Sequence, residues 1–310
     1  MFLGLGACAP PPAAAPPLVA IRAEPMPRAE APPATPASRD ARPVAVTACV
    51  DGLPAQLVYP WLLHCPGGAP TVVDLTGAVT DVALPGAGPW ALHADTNGPG
   101  AASIAGGVWS PNGRVAPRLG DVASAPPAIS AGAPSVIAWT DTEAAHWRAT
   151  DADTTWDAPL RPAGWYPPAV ARGMDGPWAV WTAFVGPGAA DGEGRLYAAH
   201  PSAGGEPVRI GLGGFAHHPV ADGRWLGWVD DGDVVVADLQ ADGGPIATVW
   251  PADAGAETAP AIGGGAPCWA ERGGTVRCGD GWQTEGTEPT GGGAALLVHR
   301  GGQWILWTAR

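Results

Sequence analysis

The chain contains no lysine; all 16 of its basic residues are arginine. That absence excludes a Walker phosphate loop, a kinase-type lysine and any Schiff-base lysine. Charged residues make up only 15% of the 310 positions, and the formal net charge is −13 with a pI of about 4.7. No basic footprint is left for a nucleic acid partner. Phe and Tyr occur only three times each. Long helical periodicity is missing, and no apolar run approaches the roughly 18 residues of a membrane span. There is no G-x-S-x-G elbow, no H-E-x-x-H and no C-x-x-C. No catalytic residue, metal site or cofactor is therefore expected.

What the chain has in excess is Gly (46), Pro (37) and Trp (16). An apolar fraction of 46% argues for a large folded part, and the Gly and Pro for many turns and short strands. Residues 9–43 hold 11 Pro and 11 Ala, with no Trp and no strand-like run. Such a segment is expected to be a disordered or polyproline-like linker, reaching about 100 Å at 3.1 Å per residue. All Trp residues follow residue 60, and the folded domain is expected to span residues 44–310.

Of the five cysteines, Cys8 stands alone behind Leu5-Gly6-Ala7. Leu-Gly-Ala-Cys resembles the lipobox of bacterial lipoproteins, whose cysteine is lipidated. Residues 1–8 then read as the remainder of a signal segment, because Met1–Ala7 looks like the tail of an apolar core and the native start is expected upstream. The resemblance implies export, with the lipid as the membrane anchor and the periplasm or outer membrane as the address. Cys268 and Cys278 face one another across a hairpin closed by Arg272-Gly273-Gly274. Cys49 and Cys65 are close enough in sequence to close a loop of their own, stabilising by about 3 kcal/mol. Two disulfides would require an oxidising compartment; four buried thiols are the alternative.

Behind the linker the sequence repeats. Trp139, Trp181, Trp228 and Trp269 fall in one column, with spacings of 42, 47 and 41. Ahead of them lie Pro127-Ala-Ile129, Pro168-Ala-Val170, Pro219-Val220 and Pro260-Ala-Ile262. A further element, Val234-Val-Val-Ala-Asp238-Leu239, is echoed by Thr71-Val-Val-Asp74-Leu75. A period of 40–45 residues with several short strands per unit marks an all-β β-propeller. Weaker copies of the column lie at 62–65 and 91–95 upstream and at 296–298 downstream; the length gives six blades, or seven if the short N- and C-terminal copies each form one. A pair of β-sandwiches is the competing architecture, but it leaves the Trp column unexplained.

Val108-Trp-Ser-Pro-Asn-Gly-Arg114 resembles the W-S-P-D-G repeat of TolB-like and other WD-type propellers of the bacterial envelope. That resemblance implies a scaffolding or recognition role without cofactors. Trp139, Trp181, Trp228 and Trp269 are expected in the core between blades. Trp147, Trp156, Trp165, Trp178 and Trp225 lie outside the column and are the candidates for stacking on a ligand near the axial opening. Asp151, Asp153 and Asp157 are read as turn carboxylates in place of a calcium loop. Asp230-Asp231-Gly232-Asp233 is read as a hairpin tip. His217 and His218 are expected to point to opposite faces of a strand and so not to converge. Gly211–Ala216 matches a dinucleotide fingerprint only formally, because a strand follows where a helix should begin.

The expectation is a monomeric, non-enzymatic envelope lipoprotein that binds a protein or glycan partner. The alternative is a glycan lyase or hydrolase with residues converging at the propeller axis.

Overall fold

The computed structural model describes residues 22–25, 38–47, 56–78, 81–84, 90–95, 98–103, 107–110, 113–116, 126–130, 136–149, 155–158, 162, 166–185, 193–199, 207–212, 215–242, 244–252, 259–263, 266–292 and 295–309. They form an all-β fold with a single helical turn, at Pro66–Gly68. Two strands precede the repeats, β1 (Arg22–Pro25) and β2 (Arg39–Val44). The remaining strands fall into consecutive sheets.

Blade 1 is β3 (Gln56–Val58), β4 (Trp61–His64), β5 (Thr71–Asp74) and β6 (Val82–Ala83). Blade 2 is β7 (Trp90–Asp95), β8 (Gly98–Ser103), β9 (Gly107–Ser110) and β10 (Gly113–Ala116). Blade 3 is β11 (Ala128–Ile129), β12 (Val136–Thr140), β13 (Ala145–Ala149) and β14 (Thr155–Ala158). Blade 4 is β15 (Ala169–Gly173), β16 (Gly176–Val185), β17 (Glu193–Ala199) and β18 (Val208–Ile210). Blade 5 is β19 (Ala216–Asp222), β20 (Trp225–Asp230), β21 (Asp233–Asp238) and β22 (Ile246–Trp250). Blade 6 is β23 (Ala261–Gly263), β24 (Ala266–Glu271), β25 (Thr275–Cys278) and β26 (Gln283–Glu285). Blade 7 is β27 (Thr287–Gly292), β28 (Ala295–Arg300) and β29 (Gln303–Ala309), with β2 as its outermost strand. Both short terminal copies thus form sheets, and the first strands of the seven neighbour one another in a closed ring.

The stacking explains the texture of the sequence. A middle strand has a blade against each face, so it reads as a continuous apolar run instead of alternating. β12 is buried at all five positions, and the four central residues of β21 are buried too. Outermost strands meet solvent, and β2 is exposed at its four central positions. Trp139, Trp181, Trp228 and Trp269 are all buried, as the repeat column predicts. Apolar clusters lie between adjacent blades: Trp147 and Trp181 between blades 3 and 4, Leu196 and Trp228 between 4 and 5.

The turns follow their residues. Asp231 (φ 52°) and Gly232 (φ 93°) close β20 to β21 as the expected two-residue hairpin tip, both in the left-handed region that such a turn demands. The recurring Asp-Leu pair after the third strand is a turn device. Asp74 accepts hydrogen bonds from the Thr76 and Ala78 amides, and Asp238 from the Gln240 amide. The following Leu75 and Leu239 amides then donate to Pro60 and Arg224, tying each turn to the first hairpin of its own blade.

The boundary expected at residue 44 moves, because the propeller includes Arg39–Val44. Composition hides this strand, since an exposed outer strand needs no apolar pattern. Arg39 locks it in place: its guanidinium pairs with Asp280 at 3.0 Å and lies 4.9 Å over the Trp282 ring. Arg39→Ala is expected to lower stability by about 1–2 kcal/mol in urea unfolding, with Asp280→Asn costing less because it spares the ring contact. β1 also falls inside the expected linker; it adds to β22 as a parallel fifth strand.

Candidate functional site

The first strands of the blades surround an axial cavity of about 450 Å³. Its wall is mostly apolar, and prolines from five consecutive blades line it: Pro127, Pro168, Pro219, Pro260 and Pro289. The physical reason is the position. The first strand of each blade is a sheet edge facing the cavity, where a residue without an N–H leaves no donor unpaired. Pro219 and Pro289 sit at irregularities in the strand pairing, and the residues before them, His218 and Glu288, both have φ 53°.

Call the end of the cavity where these strands begin the upper face, and the end where they turn back the lower face. On the upper side, His217 and His218 converge, contrary to the expectation from strand alternation. Their Nδ1 atoms lie 2.7 Å apart, so one ring donates to the other. The bulge between His217 and Val220 and the left-handed backbone at His218 break the alternation. Both rings are buried, and Tyr166 from the preceding blade stacks on His217 and meets His218 edge-on. Phe215 packs against His217 at 4.8 Å between ring centroids. Burial holds the His217 pKa down at about 4, against the attraction of Asp230. Burial, and then the neighbouring His217, hold His218 at about 3. The pair is neutral at any ordinary pH, and His218 lines the cavity. A bulky residue at positive φ is a strained conformation of the kind that collects at functional sites.

The structure disperses the four candidate tryptophans that lie within the described residues. Trp147 has no exposed surface and stacks on Trp181 with centroids 5.7 Å apart; it is a core residue, unable to present its ring to a ligand. Trp156 lies on the outermost strand of blade 3, partly buried against the same cluster. Trp165 lies outside the described residues. Trp178 and Trp225 are half-buried at the start of the second strands of blades 4 and 5, both toward the lower face. Arg224 covers Trp225 at 4.7 Å.

A second polar cluster escaped the sequence reading. His146 Nε2 lies 2.8 Å from Asp141 Oδ2, and its Nδ1 lies 2.6 Å from Asp157 Oδ1. Trp139 stacks on the same ring at 5.3 Å. Burial works against ionisation of Asp141, but the Glu143 and Ala144 amides and His146 outweigh it and hold the carboxyl below its usual range. The cluster ties the turn after β12 to the outermost strand of blade 3, so Asp157 serves as an anchor for a histidine. Asp151 and Asp153 lie outside the described residues. Among the described residues no group of three or more His, Cys, Asp or Glu side chains is placed to hold a metal.

Cys268 and Cys278 form a disulfide across paired positions of β24 and β25, as the hairpin register predicts. Cys65 is buried and disulfide-bonded. Cys49, expected to pair with it, and Cys8 lie outside the described residues. The W-S-P-N-G string spans the β9–β10 hairpin, with Pro111 and Asn112 outside the described residues. Gly211 and Leu212 lie between β18 and β19, a link between blades as expected.

No family model and no curated protein matches the chain. Solved structures do. The chain is similar to a catalytically inactive variant of virginiamycin B lyase from Staphylococcus aureus, solved with quinupristin. Identity is 15%, the match covers 88% of this chain and 100% of that one, and the TM-score is 0.55. It is also similar to BBS1N, solved in complex with ARL6DN, at 14% identity over 89% of this chain and 96% of that one, with a TM-score of 0.52. BamB from Moraxella catarrhalis matches at 14% identity over 87% of this chain and 100% of that one, with a TM-score of 0.43. At such identities the likeness establishes architecture: the chain has the β-propeller fold.

Proposed function

We propose that this protein is a non-enzymatic binding scaffold of the bacterial envelope, similar in kind to TolB-like propellers, held to a membrane by lipid on Cys8. The observation that carries the binding role is the wall of the axial cavity. Prolines and small aliphatic side chains from successive blades make a rigid apolar cradle, which suits the apolar side chains of a protein partner. Sugars call for a ring of polar donors and acceptors, so a protein is favoured over a glycan. The lipobox-like Leu5-Gly6-Ala7-Cys8 and the Cys268–Cys278 disulfide both support an exported, oxidised address.

The test is site-specific crosslinking in native membranes. Benzoylphenylalanine in place of Thr290, on the cavity wall, is expected to capture a protein partner. The same group in place of the exposed Gln283, on the outer rim, is not. A Thr290 probe that captures no protein rejects the reading.

One observation favours a second reading, a lyase or hydrolase with an axial active site. His218 lines the cavity at a left-handed backbone position, is hydrogen-bonded to His217 and set against Tyr166, and stays neutral, as suits an imidazole that hydrogen-bonds to and polarises a substrate. On that reading His218→Asn, which tolerates the left-handed backbone, abolishes turnover of glycan fragments while the chain stays folded at neutral pH.

A further inference from the structure

The segment joining Cys8 to the propeller does not leave at an arbitrary point. β22 starts at Ile246, paired with Asp238 at the end of β21, and therefore runs from the lower face to the upper. β1 is parallel to it, with Arg22 opposite Ile246 and Pro25 opposite Val249. Arg22, the first described residue, is thus at the lower face. Only 13 residues separate Cys8 from Arg22, a reach of at most about 50 Å even fully extended. The pairing roughly halves the reach that composition alone suggests.

Among the described residues the lower face differs from the upper in what it exposes. Met174, in the turn between β15 and β16, is 69% exposed, and Tyr59, in the turn between β3 and β4, is 39% exposed. Both turns are on the lower face, and half-buried Trp178 and Trp225 flank it. The third large exposed apolar side chain among the described residues, Leu212, is in the link between β18 and β19 toward the upper face. A contact this small is weak on its own. A nearby covalent anchor makes it effectively intramolecular and gives it weight.

We propose that the lower face is the one applied to the lipid surface, with Met174 as its contact, and that β1 sets this orientation by clipping the anchor-bearing segment to the edge of blade 5. The upper face, with the His217–His218 pair, then points away from the membrane. This rests on the reading of Cys8 as the anchor, and the experiment separates the two. The full chain is coupled through the Cys8 thiol to a maleimide-bearing lipid in phosphatidylethanolamine–phosphatidylglycerol vesicles, which bypasses host lipidation. Benzoylphenylalanine replaces Met174 in one sample and Leu212 in another.

Lipid crosslinking at position 174 is expected to exceed that at 212 by about tenfold. Ala23→Pro combined with Glu24→Pro, which removes the amides that hold β1, is expected to bring the two within about twofold. Equal labelling in the unsubstituted chain overturns the orientation. Selectivity that survives the double substitution overturns the role of β1. The intact mass of the protein from its own host, showing or lacking an acyl adduct on Cys8, decides the anchor separately.

Discussion

Trp147→Ala is expected to lower the stability of the propeller by about 3–5 kcal/mol, read as a fall in the urea midpoint at unchanged slope. The indole has no exposed surface and sits in the seam between blades 3 and 4, stacked on Trp181, which in turn stacks on Tyr197. Truncation leaves a cavity that the flanking sheets, each fixed by its own ladder, are poorly able to close. Trp147→Phe is expected to cost much less, because the ring stays and the Nε1 that is lost has no hydrogen-bond partner. Trp156→Ala, at an outermost strand, is expected to cost about 1 kcal/mol. If Trp147→Ala instead left the midpoint unchanged and weakened partner capture, the residue would belong to a binding surface after all.

The second large effect is acid sensitivity. Both histidines of the 217–218 pair have folded pKa values below the ordinary 6.5, at about 4 and about 3. Between those values and 6.5 the unfolded chain binds protons that the folded chain refuses, so stability rises with pH across that window and falls as pH drops through it. The stabilisation is complete above about pH 6.5 and is lost on the way to pH 3, with a loss of about 3 kcal/mol for His217 alone. Unfolding of the unsubstituted chain is compared with that of the His217→Gln, His218→Asn chain. The difference between their stabilities is expected to shrink steadily from pH 6.5 to 3. Subtraction removes the carboxylates, Asp141 among them, that contribute acid sensitivity of their own. A constant difference across the window would mean that the rings reach water.

What the sequence made legible was whatever repeats or is locally encoded. The Trp column marks stacked blades because burial on both faces selects large apolar side chains, and four successive blades, 3 to 6, use the same one. Asp230–Asp233 and Cys268–Cys278 were readable because a hairpin fixes its own register. The misses have the opposite character. β2 pairs with a strand more than two hundred residues away and exposes most of its side chains, so neither pattern nor propensity reveals it. β1 is hidden in the same Pro and Ala background. His217 and His218 meet only because a bulge cancels the alternation from which sequence reasoning starts. Asp141, His146 and Asp157 come from a turn and two strands, a convergence that no linear spacing announces.

The seventh blade borrows its outermost strand from the beginning of the chain. During synthesis Arg39–Val44 emerges early and finds no partner until Gln303–Ala309 has been made, so the ring stays open for nearly the whole of translation. The two ends of the row then wait with unmatched flanks, and the last contact to form is the one with the greatest separation along the chain. Once made, it turns a row of neighbours into a circle without ends, in which no blade is terminal and none can peel away first. Loss of the final seven-residue strand therefore reopens the seam between the first blade and the last, so the damage reaches both ends of the chain.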